Sequence, residues 1–168
     1  MILIFGLAVA ETMLQGKPTT LGAASGAIAG LVAITPAAGF VSPISAIIIG
    51  LVAGTICYLA VVAKSKLGYD DALDVVGVHG VGGLWGALAT GLFASTAINP
   101  GGANGLFFGN PALLYIQAEG AFATIAYSIV LTFIILKGLD LTIGLRVNNE
   151  DEQQGLDLSQ HSEIGYTY

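Results

Sequence analysis

The stretch at residues 70–94 constrains the fold of this chain more than any other, and it reads DDALDVVGVHGVGGLWGALATGLFA. It opens with three carboxylates, at Asp70, Asp71 and Asp74, after which His79 is its only ionisable side chain. A helix needs about 20 predominantly apolar residues to cross a bilayer, and residues 75–94 are long and apolar enough to do so. A histidine in such a segment requires an explanation, because ionisable groups are costly in a hydrocarbon environment.

The composition agrees with a membrane protein. Hydrophobic residues make up 55% of the chain and charged residues only 10%, whereas soluble domains carry roughly a quarter charged residues. The 24 glycines fit helices that approach one another closely in a membrane. The net charge of −6 excludes a nucleic-acid-binding surface. The single cysteine, Cys57, allows neither a disulfide framework nor a cysteine metal site.

Short polar breaks divide the chain into apolar runs, which predict an all-α, polytopic membrane helix bundle with about five transmembrane segments. We expect these segments at residues 1–15, 19–36, 43–63, 72–96 and 113–143, and together they form a transmembrane domain at 1–145. The first run is short for a span and is interpreted as the end of a truncated helix. Its alternative, a secretory signal, is disfavoured because no basic residue precedes the apolar run. Residues 146–168 are polar and acidic and are predicted to be an aqueous tail.

The basic residues predict the orientation of these segments. All five fall on one side of an alternating topology: Lys17, Lys64 and Lys66 lie in breaks, and Lys137 and Arg146 lie at the end of the fifth segment. The loops on the opposite side contain no lysine or arginine. By the positive-inside rule the tail is therefore cytoplasmic, and so is the acidic start of the fourth segment.

Two patterns have a simple structural interpretation. Gly22, Gly26 and Gly30 recur every four residues and predict a helix face that packs closely against another helix. Asp70 or Asp71 is expected to cap the fourth helix, because its first N–H groups lack partners within the helix. Asp74 lies one turn deeper, where a second partner is expected.

His79 is predicted to have a functional role. The other residues on its helix face are Val75, Val76, Gly82, Gly83, Gly86 and Thr90, which offer the imidazole almost no polar partner. His161, the other histidine, lies in the aqueous tail. We therefore expect a partner from outside this chain or from water, and a role in a substrate path or proton relay. One intramembrane ligand cannot hold a metal. No nucleophile–base pair is apparent within the spans, so the sequence predicts neither an enzyme nor a cofactor site.

Four motifs resemble the ammonium transporter family (Amt/Mep/Rh), and most closely its bacterial Amt branch. DDALDVVGVHGVGGLWG at 70–86 is similar to the tenth transmembrane helix of that family, and GKPTTLGAASGAIAGLVAITPAAG at 16–39 is similar to its eighth. DLTIGLRV at 140–147 and GLDLSQHSEIGY at 155–166 also match, in order and with matching spacing.

The resemblance implies that the chain corresponds to the C-terminal part of a protein with eleven helices, which forms a homotrimer with one pore per subunit. His79 would be the second of two pore histidines, and the first has no counterpart in this chain. Ile28, Thr35 and Val75 would line or border the pore. Asp71 and Asp74 would mark the cytoplasmic start of the tenth helix and couple it to the tail, and the tail would communicate with PII-type signalling proteins.

These observations lead to two main hypotheses. In the first, the chain is the C-terminal portion of an ammonium/ammonia channel of the inner (plasma) membrane, with His79 in its pore. In the alternative, it is a non-conducting truncated assembly or regulatory module that acts through its cytoplasmic tail. An unrelated proton-coupled carrier built around His79 is disfavoured by the four matching motifs.

Overall fold

The computed structural model describes residues 2–165, apart from the side chains at positions 2–5, 7, 14 and 15. Within this range the secondary structure is entirely helical, as predicted. The helices are α1 (Ile2–Gln15), α2 (Thr20–Ile34), α3 (Pro43–Leu67), α4 (Val81–Phe93), α5 (Pro111–Thr142), α6 (Asn149–Gln154) and α7 (Leu156–Ser159). A 3-10 turn at Thr35–Ala37 continues α2, a π-helical segment at Val76–Gly80 leads into α4, and a second 3-10 turn lies at Leu106–Phe108.

Four helical stretches of the described chain are long and apolar enough to cross a membrane, at Thr20–Ala37, Pro43–Leu67, Val76–Phe93 and Pro111–Thr142. With 14 residues, α1 is shorter than these. The chain is therefore an all-α, multi-pass membrane protein. The structure divides into two compact units at the boundary between Ala123 and Thr124, which lies within α5.

Small residues form the core of the first unit. In it α1 packs against α2 and α3, and α4 packs against both α2 and α3. Ala33, Ala53 and Ala89 are fully buried in the largest core cluster. The backbones of α4 and α2 approach closely, so that a Cβ added to Gly86 would lie 2.9 Å from the carbonyl carbon of Ala33. Such contact between backbones is typical of membrane helices, which gain little from burying large apolar side chains.

The glycine stripe on α2 packs as predicted. Gly26 and Gly30 are buried, and a Cβ added to Gly22 would lie 2.8 Å from the carboxyl carbon of Glu11 in α1. Thr19 caps the N-terminus of α2, since its side chain accepts a hydrogen bond from the Gly22 N–H (2.9 Å).

The ends of two helices differ from the sequence-based ranges. α3 continues to Leu67, beyond the predicted end at residue 63, because Gly68 adopts the left-handed conformation (φ +71°) and terminates the helix there. Helical structure in the fourth segment begins at Val76 instead of residue 72, because Asp74 is in the left-handed region (φ +56°). It ends at Phe93, where Ala94 becomes extended.

The second unit contains the remainder of α5 and the two short helices of the tail. Lys137 forms an ion pair with Asp140 on α5 (2.9 Å). Asn148 caps α6 by accepting a hydrogen bond from the Asp151 N–H (2.8 Å).

Candidate functional site

His79 lies on the π-helical segment Val76–Gly80. π-helical turns are rare in proteins, and those that occur are often found at functional sites. Tertiary contacts hold this turn in place: a Cβ added to Gly77 would lie 2.9 Å from a methyl group of Val61 in α3. Val78 is buried, and its carbonyl oxygen accepts a hydrogen bond from the Cys57 thiol (3.8 Å). The backbone before and around His79 is therefore fixed against α3.

The side chain of His79 is exposed on the surface of the first unit. Within residues 2–165 the structure shows no hydrogen bond or ion pair to its imidazole. By contrast, Gly82, Gly86 and Thr90, which were expected to share its face, are buried. The small residues of this segment thus face neighbouring helices, while the histidine points outward.

The other predicted pore residues are also exposed. Ile28 and Val75 each have an exposed fraction of 47%, and Thr35 is exposed at the start of the 3-10 turn. The hydroxyl of Thr35 donates to the carbonyl oxygen of Leu31 (2.7 Å), so it remains hydrogen-bonded on an apolar face. Ile28 and Thr35 lie on the side of α2 opposite its buried glycine and alanine residues. Because the π-helical segment contacts α2, His79 and Ile28 lie on neighbouring elements, with Val75 at the start of the first and Thr35 directly after the second.

The acidic start of the fourth segment is held by two different interactions. Asp71 accepts hydrogen bonds from the N–H groups of Val75 (2.9 Å) and Val76 (2.8 Å), the geometry of a helix cap. Asp74 forms an ion pair with Lys64 of α3. The Lys64 ammonium group also donates to the carbonyl oxygen of Asp71 (2.7 Å), so it joins α3 to both aspartates.

Sequence reasoning missed three polar residues of the first unit: Lys64 as the partner of Asp74, and Glu11 and Tyr58. Glu11 is buried, with both carboxylate oxygens accepting hydrogen bonds from Thr19. Tyr58 is buried as well. The signal for Glu11 was present, because it is the only charged side chain in the first apolar run. No group of three or more His, Cys, Asp or Glu side chains capable of holding a metal occurs in the described part of the chain.

The tail has its own set of interactions. Arg146 donates two hydrogen bonds to Glu152, from Nη2 (2.6 Å) and from Nε (3.1 Å). These bonds hold the pKa of the Glu152 carboxyl below its usual value. The carboxylate of Asp157 accepts a hydrogen bond from the Gly165 N–H (3.1 Å). Hydrogen bonds from the backbone of Gly165 and Leu158 lower the pKa of Asp157.

Comparison with known proteins identifies the family. The sequence profile described as the Ammonium Transporter Family matches residues 2–166. An ammonium transporter of Bacillus subtilis is 51% identical over 164 residues, which are 97% of this chain and 41% of that protein.

The crystal structure of Saccharomyces cerevisiae Mep2 superposes with a TM-score of 0.86 at 36% identity, and it covers 99% of this chain and 40% of that one. A structure described as a sensor Amt protein gives a TM-score of 0.81 at 27% identity, over 95% of this chain and 40% of that one. The chain thus spans about two fifths of the length of these proteins. By its sequence and by its fold, the chain belongs to the ammonium transporter family.

Proposed function

We propose that this chain forms the C-terminal portion of an ammonium/ammonia channel and that His79, Val75, Ile28 and Thr35 line its pore. The observation that supports this most is the outward orientation of His79 on a π-helical turn. A histidine without an internal partner is available to a ligand or to a group on another segment. Its imidazole offers a hydrogen-bond donor and an acceptor on an otherwise apolar surface.

The apolar neighbours of His79 favour a neutral permeating species. A bare cation would face a severe desolvation cost beside Val75 and Ile28, whereas ammonia would lose only a few hydrogen bonds. In this mechanism ammonium passes its proton to water at the entrance, and His79 then replaces part of the hydration of the ammonia that enters. The proposal includes an inner-membrane location with a cytoplasmic tail, assembly as a homotrimer, and a PII-type signalling protein as a partner of the tail.

Grafting tests this proposal. Residues 2–166 replace the matched segment of the Bacillus subtilis ammonium transporter, and labelled methylammonium uptake is measured in cells that lack their own ammonium transporters. We expect uptake by the graft. His79→Ala should lower it about tenfold or alter its selectivity over potassium, since losing one hydrogen bond to a desolvated ligand costs about 1.4 kcal/mol.

The other histidine provides a matched control. His161→Ala changes the same residue type in the tail and should leave the selectivity of the graft unchanged. Equal uptake and equal selectivity in the parent graft and its His79→Ala variant would contradict a pore role for His79.

A second candidate function, a regulatory module that acts through the tail without conducting, has one observation in its favour. The tail forms local hydrogen bonds of its own, including the two-point contact between Arg146 and Glu152. An ordered surface of this kind suits a binding partner. The similarity to a protein described as a sensor also supports this candidate.

A further inference from the structure

A cleft of about 180 Å³ lies among α1, α2, α3 and the π-helical segment, on residues that the proposed pore does not use. Its polar lining comprises Glu11, Thr19, Ser25, Tyr58 and Asp74. The remaining lining is apolar, and the exposed side chain of Leu21 lies at its rim. A single water molecule needs about 10–15 Å³ of such space, so the cleft has room for a small ion with water.

Glu11 brings a negative charge into this cleft. Glu11 is only 5% exposed, and its carboxylate accepts hydrogen bonds from the Thr19 N–H (2.9 Å) and the Thr19 hydroxyl (2.8 Å). Across residues 2–165, Glu11 has no lysine, arginine or histidine partner within ion-pair distance. A buried carboxylate without a cationic partner is costly, and within a membrane such groups commonly mark ion or proton sites.

Tyr58 points to a ligand independently. The residue is 6% exposed, and its hydroxyl finds no hydrogen-bond partner among the described protein atoms. It packs against Ala10 of α1, and it lines the same cleft as the Glu11 carboxylate. A buried tyrosine hydroxyl is normally hydrogen-bonded, and its oxygen can accept a bond from a ligand.

The charges around the cleft define the ligand. Asp74 already has a cationic partner in Lys64, which leaves Glu11 as the one carboxylate of the lining without such a partner. One positive charge therefore balances the cleft. Calcium takes six to eight oxygen ligands and magnesium requires near-octahedral geometry, and either ion would bring two positive charges to a single unpaired carboxylate, so a divalent ion fits this lining poorly.

We propose that this cleft binds one small monovalent cation of the size of ammonium or potassium, with the Glu11 carboxylate and the Tyr58 hydroxyl oxygen as its principal ligands. Ser25 and water complete the coordination. This cation site is separate from the surface that carries His79, and its existence does not depend on conduction. Occupation would tie α1 to α3 through a shared ion.

Thermal unfolding of the full chain in detergent tests the proposal. Ammonium chloride and potassium chloride are compared with choline chloride at equal ionic strength, because the methyl groups of choline keep its charge from direct contact with a carboxylate. A cation that binds only the folded state raises the Tm, and we expect a rise of about 3 °C at saturation. A rise with either small cation supports the site and shows which one it prefers. Equal Tm values in all three salts would overturn it.

Variants locate the effect. Glu11→Gln keeps the shape of the side chain and should abolish the cation-dependent rise, and Tyr58→Phe should reduce it. Glu119→Gln removes an exposed carboxylate from α5 and should leave the rise intact. An undiminished rise in Glu11→Gln would overturn the assignment.

Thallium(I) gives a readout that does not require a variant to fold. Crystals of the unaltered chain soaked in a thallium(I) salt should show an anomalous peak between Glu11 and Tyr58, and the lack of a peak there would refute the site. Neither measurement uses transport, so a loss of uptake in the graft would not contradict the cation site.

Discussion

At the scale of single residues, Gly86 sets the distance between α4 and α2. A Cβ at this position would lie 2.9 Å from the carbonyl carbon of Ala33 and 3.1 Å from Cδ of Pro36. The obstruction is mostly backbone and a proline ring, which cannot move aside as a flexible side chain does. Gly83, three residues earlier on the same helical run, has open space at its Cβ position.

We expect Gly86→Ala to destabilise the first unit by about 1–3 kcal/mol, the usual cost of overpacking a tight core. Gly83→Ala is the matched control and should be neutral or slightly stabilising, because alanine favours the helix over glycine. The measurement is the Tm in detergent, where each kcal/mol corresponds to about 2–4 °C for a chain of this length. Equal Tm values for the two variants would show that the close approach does not limit the packing.

The polar residues show what sequence could and could not predict at this scale. A functional role is predicted for His79 because sequence supplies no structural role for a histidine in an apolar run, and this role stays a prediction. Glu11 is equally isolated, but it lies where the run ends, and charged residues are ordinary at helix ends. Its burial depends on α2, because Thr19 and Gly22 lie directly against its carboxylate. A contact of this kind between two helices leaves no mark in the local sequence.

At the scale of elements, the π-helical segment is the feature that hydrophobic periodicity could not predict. A π turn adds one residue to a helical turn inside a run that is apolar on every side, so the pattern of 70–94 does not distinguish it from a regular α-helix. The turn follows from contacts with α3, at Gly77 against Val61, and from the left-handed Asp74 at its start. Because the π turn alters the helical register, His79 is exposed while Gly82 and Gly86 are buried.

Lys64 links α3 to the start of this segment, and its removal should loosen the segment. Lys64→Met keeps the length of the side chain but leaves the Asp74 carboxylate and the Asp71 carbonyl without the ammonium group. The pair is partly exposed and solvent-screened, so its loss is expected to weaken the attachment of the segment only modestly. Amide hydrogen exchange at residues 75–81 should then become about fivefold faster.

Lys66 provides the comparison for this experiment, because it is an exposed lysine in the same last turn of α3. Lys66→Met removes one charge and should leave exchange at residues 75–81 unchanged. If both variants accelerate exchange equally, the effect comes from the net charge of the helix end and not from the contact with Asp74.

At the scale of the whole molecule, the all-α membrane fold was predictable because it follows from the lengths of the apolar runs. The limits of the helices were less predictable. α3 extends to Leu67 because Gly68 is left-handed, and the fourth segment starts at Val76 because Asp74 is left-handed. Neither reason is visible in hydropathy. The exposed apolar side chains of α5, among them Phe122, Tyr127 and Phe133, suit contact with lipid or further helices.

The tail provides the last prediction, because its interactions are local to residues beyond the spanning helices. The pKa values of Glu152 and Asp157 are lowered by Arg146 and by backbone N–H groups respectively. A carboxyl whose pKa is lower in the folded state contributes its stability above the unfolded pKa and loses it as the pH falls through the folded value. The tail should therefore be fully ordered at neutral pH.

We expect the reconstituted chain to capture a PII-type signalling protein at neutral pH and to lose this capture when residues 147–168 are deleted. The deletion removes α6 and α7 but should preserve the helices of the first unit, because that unit has its own internal contacts. Arg146→Gln tests the order of the tail without shortening it. The loss of both hydrogen bonds to Glu152 should weaken capture, whereas Lys137→Gln removes a basic residue from α5 and should not.

Since capture requires an ordered tail, it should also decline as acid protonates Glu152 and Asp157. Equal capture by the intact and the shortened chain would place the binding surface elsewhere and remove the support for a regulatory tail.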